Sequence, residues 1–470
     1  MSGRKNRHLK PLIEGVEILS VGAEGKAVGK VGEMVLFVPF AVPGDIVDVQ
    51  VTKKRNHYAE GYVVNYQHLS PTRSVPFCSH FGICGGCSWQ ILPYQEQLRW
   101  KEQQVKDNLE RIGKISLPPI SPILGSAQER EYRNKLEFSF TNRMWLSKEL
   151  LECEDKGDQR GCGFHVPGMF DKVLDIECCH LMNPIQNRIR LFLKNYGKEN
   201  NLPFFDLRSQ EGLLRGMIIR KSTIGEVMVV AIFAYNEPSV IEPMLNALKE
   251  EVKEITSLFF VINPKCNDSI ADLHCELFYG KPFIEEKLED LTFRISPKSF
   301  FQTNTHQAEV LYSVVRNFCS LSGKEILYDL YCGTGSIGIF LSKNCKKVVG
   351  IEYVPEAIED AKINASTNGI LNTSFFAGDM KELFNTDFIA ENGTPDVIVV
   401  DPPRAGMHED VVKCLLENGS PELVYVSCNP ATQARDLNLL NEKYELKAIQ
   451  PVDMFPHTFH VENVAYLERR

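Results

Sequence analysis

No stretch of this 470-residue chain approaches the ~20 consecutive apolar residues that a membrane-spanning helix requires. No membrane partner is therefore expected. The N-terminal stretch MSGRKNRHLKPLIEG is basic but lacks the apolar core of a secretory signal, so the expected location is the cytoplasm. Cysteine is too sparse for a disulfide scaffold. Fourteen in a chain this long, with no export signal, fit a reducing compartment where thiols are buried, ligate metals or act as nucleophiles. An excess of positive charge is missing too: 52 Lys and Arg against 61 Asp and Glu leave a net of −9. Residues 1–66 run the other way at +2, leaving −11 for the rest. A nucleic-acid partner must then be gripped by local patches. There is no internal repeat and no low-complexity tract, and nothing marks a self-associating surface, so a monomer is the default.

What is present is ordinary globular composition, 43% hydrophobic and 24% charged, at a length that suits about three domains. Residues 1–67 read as short strands cut by glycines. Val35–Val38 and Ile46–Val51 are joined through Pro43-Gly44-Asp45, a good turn former. A small β-barrel of the oligonucleotide-binding kind is expected from about Leu9 to Tyr66. Lys53, Lys54 and Arg55, close to His57 and Tyr58, mix charge with stacking surface for RNA, although a solvated strand end is the commoner use of such a run. Residues 68–290 mix strands and helices. Tyr94, Leu98, Val105, Leu109 and Ile112 mark an amphipathic helix opened by Pro93 and stopped by Gly113, a candidate to pack on the last domain. Lys135–Phe140 and Val227–Phe233 read as strands.

Residues 291–470 alternate strand and helix. The strands expected are Glu325–Leu330, Lys347–Glu352, Thr373–Ala377, Asp396–Val400 and Leu423–Ser427, with helices such as Pro355–Asn368 and Glu409–Asn418 between them. That beat implies a doubly wound α/β domain with a parallel sheet. Its first strand ends in Gly333-x-Gly335-x-x-Gly338, a nucleotide-type loop, and Glu352 ends the next strand where a ribose hydroxyl would lie. Asp329 at the mouth of the loop would repel a pyrophosphate but suits the ammonium of a methionine moiety. Asp379 is placed for an adenine amino group, and Asp401 of Asp401-Pro-Pro-Arg404 walls the pocket. Each aspartate alone would read as a helix cap. Together they point to S-adenosylmethionine and methyl transfer.

The fifth strand ends in Ser427-Cys428-Asn429-Pro430, and His460-Val461-Glu462-Asn463 follows near the end of the sequence. A methyltransferase acting on an amine or hydroxyl needs no thiol. Carbon 5 of uracil does: a thiolate adding to C6 makes C5 nucleophilic, and a base later removes the C5 proton. Cys428 stands beside a helix N-terminus, which is expected to lower its pKa. Alone, it would read as a buried structural thiol.

The motifs DLYCGTGSIG, DPPRAGM, SCNPATQARDL and HVEN, preceded by SPKSFFQTN, resemble the RNA uridine-C5 methyltransferase family. The resemblance implies Cys428 as nucleophile, Glu462 as proton acceptor, and methyl-donor contacts at Gln302, Tyr331, Glu352 and Asp401. Cys78-x5-Cys84-x2-Cys87 with a distant fourth ligand satisfies zinc or an iron–sulfur cube, the second better. The same segment resembles the iron–sulfur motif of the family's ribosomal branch. That implies a four-iron, four-sulfur cluster with Cys179 of ECCHLM as the fourth ligand, Cys178 being its neighbour. The barrel resembles the TRAM module of that branch, which implies 23S rRNA as the substrate and tRNA as the alternative. Arg130, Tyr132, Arg133 and Lys135 form a basic-aromatic group able to contact a flipped-out nucleotide, or equally a salt-bridged strand start. The rival readings are a purine amino-methyltransferase, a nicotinamide-dependent iron–sulfur oxidoreductase and a ribosome-assembly factor without chemistry.

Overall fold

Glycine-punctuated alternation at the start of the chain closes into a barrel. The computed structural model describes residues 11–470; the basic stretch 1–10, with Leu9 where the barrel was expected to begin, lies outside the described residues. Among these the strands form one closed five-stranded barrel, two seven-stranded sheets and a hairpin. Strands β1 (Leu12–Val21), β2 (Ala27–Val31), β3 (Met34–Val38), β4 (Ile46–Lys54) and β5 (Tyr58–His68) close in the order β1-β2-β3-β5-β4. Val47, Val49 and Val51 alternate inward to meet Leu36, Val38 and Ala59. Asp45 of the expected turn is buried, and its carboxylate accepts from Val42 N, Ser70 N and Arg73 Nε.

The middle sheet comprises β6 (Lys135–Thr141), β7 (Gly161–His165), β8 (Val173–Asp175), β9 (Leu214–Lys221), β10 (Val227–Phe233), β11 (Ile255–Ile262) and β12 (Glu276–Gly280), in the order β12-β11-β10-β9-β6-β7-β8. Strands β9 and β10 are nearly continuous apolar runs because both faces are covered. Met217, Ile219, Val229 and Ala231 pack under helices Pro184–Glu199 and Pro238–Glu251, while Ile218, Met228, Val230 and Ile232 join the core of the last domain. Middle and last domains thus share one hydrophobic interior.

After the hairpin β13 (Ile284–Leu288) and β14 (Leu291–Ile295) comes the last sheet: β15 (Ile326–Leu330), β16 (Lys347–Glu352), β17 (Thr373–Ala377), β18 (Val397–Val400), β19 (Glu422–Ser427), β20 (Tyr444–Val452) and β21 (Glu462–Arg469). Their order is β17-β16-β15-β18-β19-β21-β20. The five expected strands are parallel, and β21 inserts antiparallel between β19 and β20. The doubly wound α/β reading therefore holds, with an antiparallel end that the sequence pattern did not announce.

The expected amphipathic helix forms over Tyr94–Asn108 and ends in a π-turn, Leu109–Gly113. Its buried stripe differs from the expected one. Gln97, Lys101, Val105 and Leu109 face inward, whereas Ile112 is exposed. The reason is polar: Lys101 forms an ion pair with Asp453 at 2.6 Å, both side chains fully buried, and donates to Phe455 O at 3.0 Å. Gln97 accepts from His457 N at 2.8 Å. The helix thereby grips the segment that leads into β21.

Candidate active site

The switch between β15 and β18, where the chain leaves the sheet centre in opposite directions, is where open α/β sheets bind ligands. There the glycine loop turns through left-handed residues: Tyr331 (φ 65°), Gly333 (φ 53°) and Gly335 (φ 76°). A Cβ on Gly335 would press on Ala361 and Phe375 at 3.0 Å, whereas one on Gly333 would meet nothing within 4 Å, an open cradle for a ligand. Glu352 braces this turn, accepting from Gly333 N at 3.1 Å and Val354 N at 3.0 Å.

Asp329 differs from its expected place at the open mouth. It lies fully buried beneath the loop, where its Oδ2 accepts from Gly338 N at 2.8 Å. Its Oδ1 is buried without a partner, an atom that a bound cation would complete. Burial, reinforced by Asp401 and Glu352, pushes its carboxyl up to about 7. Asp379 sits at the end of β17 and caps the short helix Met380–Leu383, accepting from Lys381 N at 3.2 Å. Gln302 lies in the loop entering helix Thr305–Cys319, within reach of the Tyr312 hydroxyl. That hydroxyl hydrogen-bonds Ser336 Oγ at 2.8 Å, just past the glycine loop. Tyr312 is a site residue that sequence reasoning missed, because a helical tyrosine looks like core until its partner is known.

Cys428 and Glu462 are brought together by strand register. The last β19–β21 pair is Ser427 with Asn463, so the next residue on each strand is Cys428 and Glu462. Asn429 caps helix Pro430–Leu440 through Ala431 N and donates from Nδ2 to Arg404 O at 3.0 Å. Gln433, on that helix, accepts from Asn463 Nδ2 at 2.7 Å and donates to Asn463 O at 3.2 Å. From the same helix Thr432 donates to Arg404 O and Arg435 to Ala405 O, tying in the end of the Asp401–Arg404 segment.

The electrostatics correct one expectation. Cys428 stands beside a helix N-terminus as foreseen, yet its thiol is pushed up to about 11, by burial first and then by Glu462 and Asp401, against Arg404. A helix terminus is a partial charge, whereas the two facing carboxyls come from other strands. Glu462 is buried, and burial with the Asp401 field raises it to about 8, again opposed by Arg404. Burial raises Asp401 to about 7. His460 packs on Phe459 with ring centroids 4.2 Å apart; burial and the cations Arg404, Lys101 and Arg133 hold it down to about 4, so it is neutral.

Cys78, Cys84, Cys87 and Cys179 share one locality: the field of each of the other three acts on the Cys87 thiol, which burial raises to about 12. Cys178 adjoins the same group: burial raises its thiol, and the field of Cys78 adds to that rise. Sulfur acceptors are already supplied with donors, Gly86 N to Cys84 Sγ at 3.4 Å and the backbone of Leu181 and Met182 to Cys179. Among the described residues no three His, Cys, Asp or Glu side chains form a group arranged to hold a metal ion, so the expected metal ligation by these thiols is not shown by the structure.

The cysteine lobe touches the catalytic segment. Ser88 N and Trp89 N, just past Cys87, both donate to His457 O at 2.9 and 3.0 Å. Arg133 spans the same gap: its N–H donates to Leu181 O and its guanidinium lies over Phe455. Arg130 lies over Phe77, 3.8 Å from the ring centroid. Lys53, Lys54 and Arg55 are exposed on the β4–β5 hairpin, where Lys53 pairs with Glu60 at 2.8 Å. They sit on the barrel, not among the residues around Cys428.

Residues 274–470 match the model of the tRNA (uracil-5-)-methyltransferase family, and residues 14–64 match the TRAM domain. A Bacteroides thetaiotaomicron protein described as an uncharacterized RNA methyltransferase is 55% identical over 454 residues, 96% of this chain and 100% of that one. A similarly described Porphyromonas gingivalis protein is 52% identical, over 97% and 99% of the two chains. Among solved structures, Pyrococcus abyssi tRNA (uracil-54, C5)-methyltransferase in complex with S-adenosyl-L-homocysteine is 29% identical. It aligns with a TM-score of 0.73 over 97% of this chain and 100% of that one. Matched along nearly its whole length by RNA methyltransferases, and over its last domain by the uracil-5 model, the chain belongs to the uracil-5 family of RNA methyltransferases.

Proposed function

We propose that the protein methylates C5 of a uridine in 23S rRNA, with S-adenosylmethionine as donor. The observation that carries this reading is the pairing of Cys428 and Glu462, one step past the last rung between β19 and β21, beside the glycine loop. Gln302, Tyr331, Asp329, Gly333, Gly335, Glu352, Asp379 and Asp401 would hold the donor, and the unpartnered Asp329 Oδ1 is an atom that a cationic group would satisfy. When bound, S-adenosylmethionine supplies an electrophilic methyl group.

Cys428 Sγ would add to C6 of the uracil, displacing an electron pair toward C5; that carbon could then take the donor's methyl group as the donor's sulfur–methyl bond breaks and S-adenosylhomocysteine leaves. The thiol must give up its proton to water before it adds, and Arg404 is the cation facing the thiolate charge. Glu462, ionised, removes the C5 proton, and the returning pair expels the thiolate. The buried carboxyl sits near neutrality, where a general base works best.

The barrel and the cysteine lobe are read as the RNA grip, with Lys53, Lys54, Arg55 and Arg133 as contacts, in a cytoplasmic monomer. Among the described residues no helix is long and apolar enough to cross a membrane. Cys78, Cys84, Cys87 and Cys179 are read as ligands of a four-iron, four-sulfur cluster that stiffens the lobe. Anaerobically purified protein is expected to carry iron and acid-labile sulfide in equal amounts; zinc in their place would sink that assignment. The alternative substrate is tRNA, favoured by the full-length likeness to the Pyrococcus abyssi enzyme.

The test is denaturing electrophoresis with 5-fluorouridine-containing RNA, a 23S fragment or a tRNA, with and without S-adenosylmethionine. Fluorine at C5 cannot leave as a proton, so the covalent adduct accumulates. A donor-dependent band with the 23S fragment, absent in Cys428→Ala, is the expected result. A band with tRNA alone transfers the substrate assignment. No band, with methyl transfer to unmodified RNA still seen, would move the chemistry to an amine or hydroxyl.

A further inference from the structure

The loop that carries Gln302 is held from outside its own domain. Asn134, at the entry to β6 and 9% exposed, donates from Nδ2 to Gln302 O and to Thr305 Oγ1, both at 2.9 Å. Its N–H donates to Thr303 O at 2.8 Å. One residue thus binds three of the four residues from Gln302 to Thr305. Asn134 is held in turn from behind, its carbonyl accepting from Lys221 N at 2.8 Å and Gln186 Nε2 at 3.2 Å.

The direction of these bonds is fixed. Gln302 O can only accept. The Thr305 hydroxyl already donates to Glu286 Oε2 at 2.8 Å, so it too must accept from Asn134. Position 134 therefore needs two donors, which the amide supplies and a carboxylate of the same shape does not. Helix Thr305–Cys319 begins at this junction and carries Tyr312 to Ser336 at the glycine loop. A shift at Asn134 is thus felt on both sides of the methyl-donor pocket.

We propose that Asn134 is a positioning residue for the methyl-donor half of the site, setting Gln302 and the start of its helix without touching the RNA-reactive thiol. This rests on the reading of Gln302 as a donor contact. Asn134→Asp keeps the volume and turns both donors into an acceptor. The variant is expected to raise the KM and the dissociation constant for S-adenosylmethionine about tenfold or more, in keeping with stranded buried polar groups. The kcat at saturating donor, and the affinity for RNA, are expected to stay within about threefold of the wild type on the same grounds.

Asn134→Ser, which shortens the side chain without adding charge, keeps the test alive if the aspartate variant fails to fold; it should shift the same constant in the same direction, by less. Unchanged donor affinity in a folded variant overturns the proposal. So does a parallel fall in donor affinity, RNA affinity and kcat that tracks the melting temperature, since that is general damage. Wild-type protein that binds no S-adenosylmethionine in equilibrium dialysis would overturn the methyltransferase reading instead, a result distinguishable before any variant is made.

Discussion

At the scale of single residues, the site gathers acids around a thiol. Glu462 carries a folded-state pKa near 8 where an ordinary glutamate titrates at 4.5. The folded protein therefore keeps a proton that the unfolded chain has released. The stability this confers is complete below pH ~4.5 and is lost as pH rises toward ~8. Melting curves across this range should show Glu462→Gln gaining on wild type as pH increases. Activity runs the other way, because the base must be ionised and the thiol, near 11, must be deprotonated. Wild-type kcat/KM is expected to rise from pH ~6.5 to ~9, and a profile flat over that range would remove Glu462 from the base role. Glu462→Gln should lower turnover by about 10²–10⁴ and leave a protein–RNA adduct on unmodified RNA, visible on a denaturing gel. Cys428, Glu462 and the glycine loop were legible in the sequence because each belongs to a local motif. The raised thiol was not, since Asp401 and Glu462 reach it from strands far along the chain.

Among the elements, helix Tyr94–Asn108 shows how a polar stripe misleads. Its Pro93 opening and approximate length were foreseen, but the expected apolar stripe of Tyr94, Leu98, Val105, Leu109 and Ile112 did not include Lys101 and Gln97. They are inside because Asp453, more than three hundred residues away, meets Lys101 there, and no local pattern encodes that partner. Asp453 also accepts from Tyr94 Oη at 2.9 Å and from Phe455 N at 3.0 Å. Removing one member of a buried pair strands the other charge, so Lys101→Met is expected to cost about 3–5 kcal/mol. Thermal denaturation measures that loss. Activity near the melting onset should fall earlier than the global transition, because the loop leading to Glu462 is released first. The parallel strands of the last sheet were readable to within a residue or so from their Val- and Ile-rich runs. The inserted β21 was not, since alternation gives a strand's faces but not its neighbours.

On the scale of the whole molecule, the barrel is docked against the catalytic segment. Gly25 (φ 69°) donates nothing by side chain but lets Phe459 approach: an added Cβ would lie 2.7 Å from Phe459 Cβ and 2.9 Å from Trp89 Nε1. Trp89 Nε1 donates to Gly25 O at 3.0 Å, closing the contact. Gly25→Ala should therefore cost roughly 1–3 kcal/mol by overpacking and strain. RNA methylation should fall while S-adenosylmethionine binding, measured by dialysis, is retained. Changes in pattern along the sequence suggested three parts. The continuity of the interior was not visible there, because the two faces of β9 and β10 read alike until their neighbours are known.

The insertion of β21 has a consequence for the order of assembly. Strand β20 precedes β21 in the chain, yet among the described residues the only strand it pairs with is β21, apart from two isolated bridges to residues 120–124. Its place in the sheet therefore depends on the later strand docking beside β19. That same event delivers Glu462 to Cys428. On the proposed mechanism, a half-folded chain would hold Cys428 without the Glu462 carboxyl opposite it. The last hydrogen bonds to gain protection on refolding should be those of β20 and β21. Turnover should appear with them rather than with the parallel core.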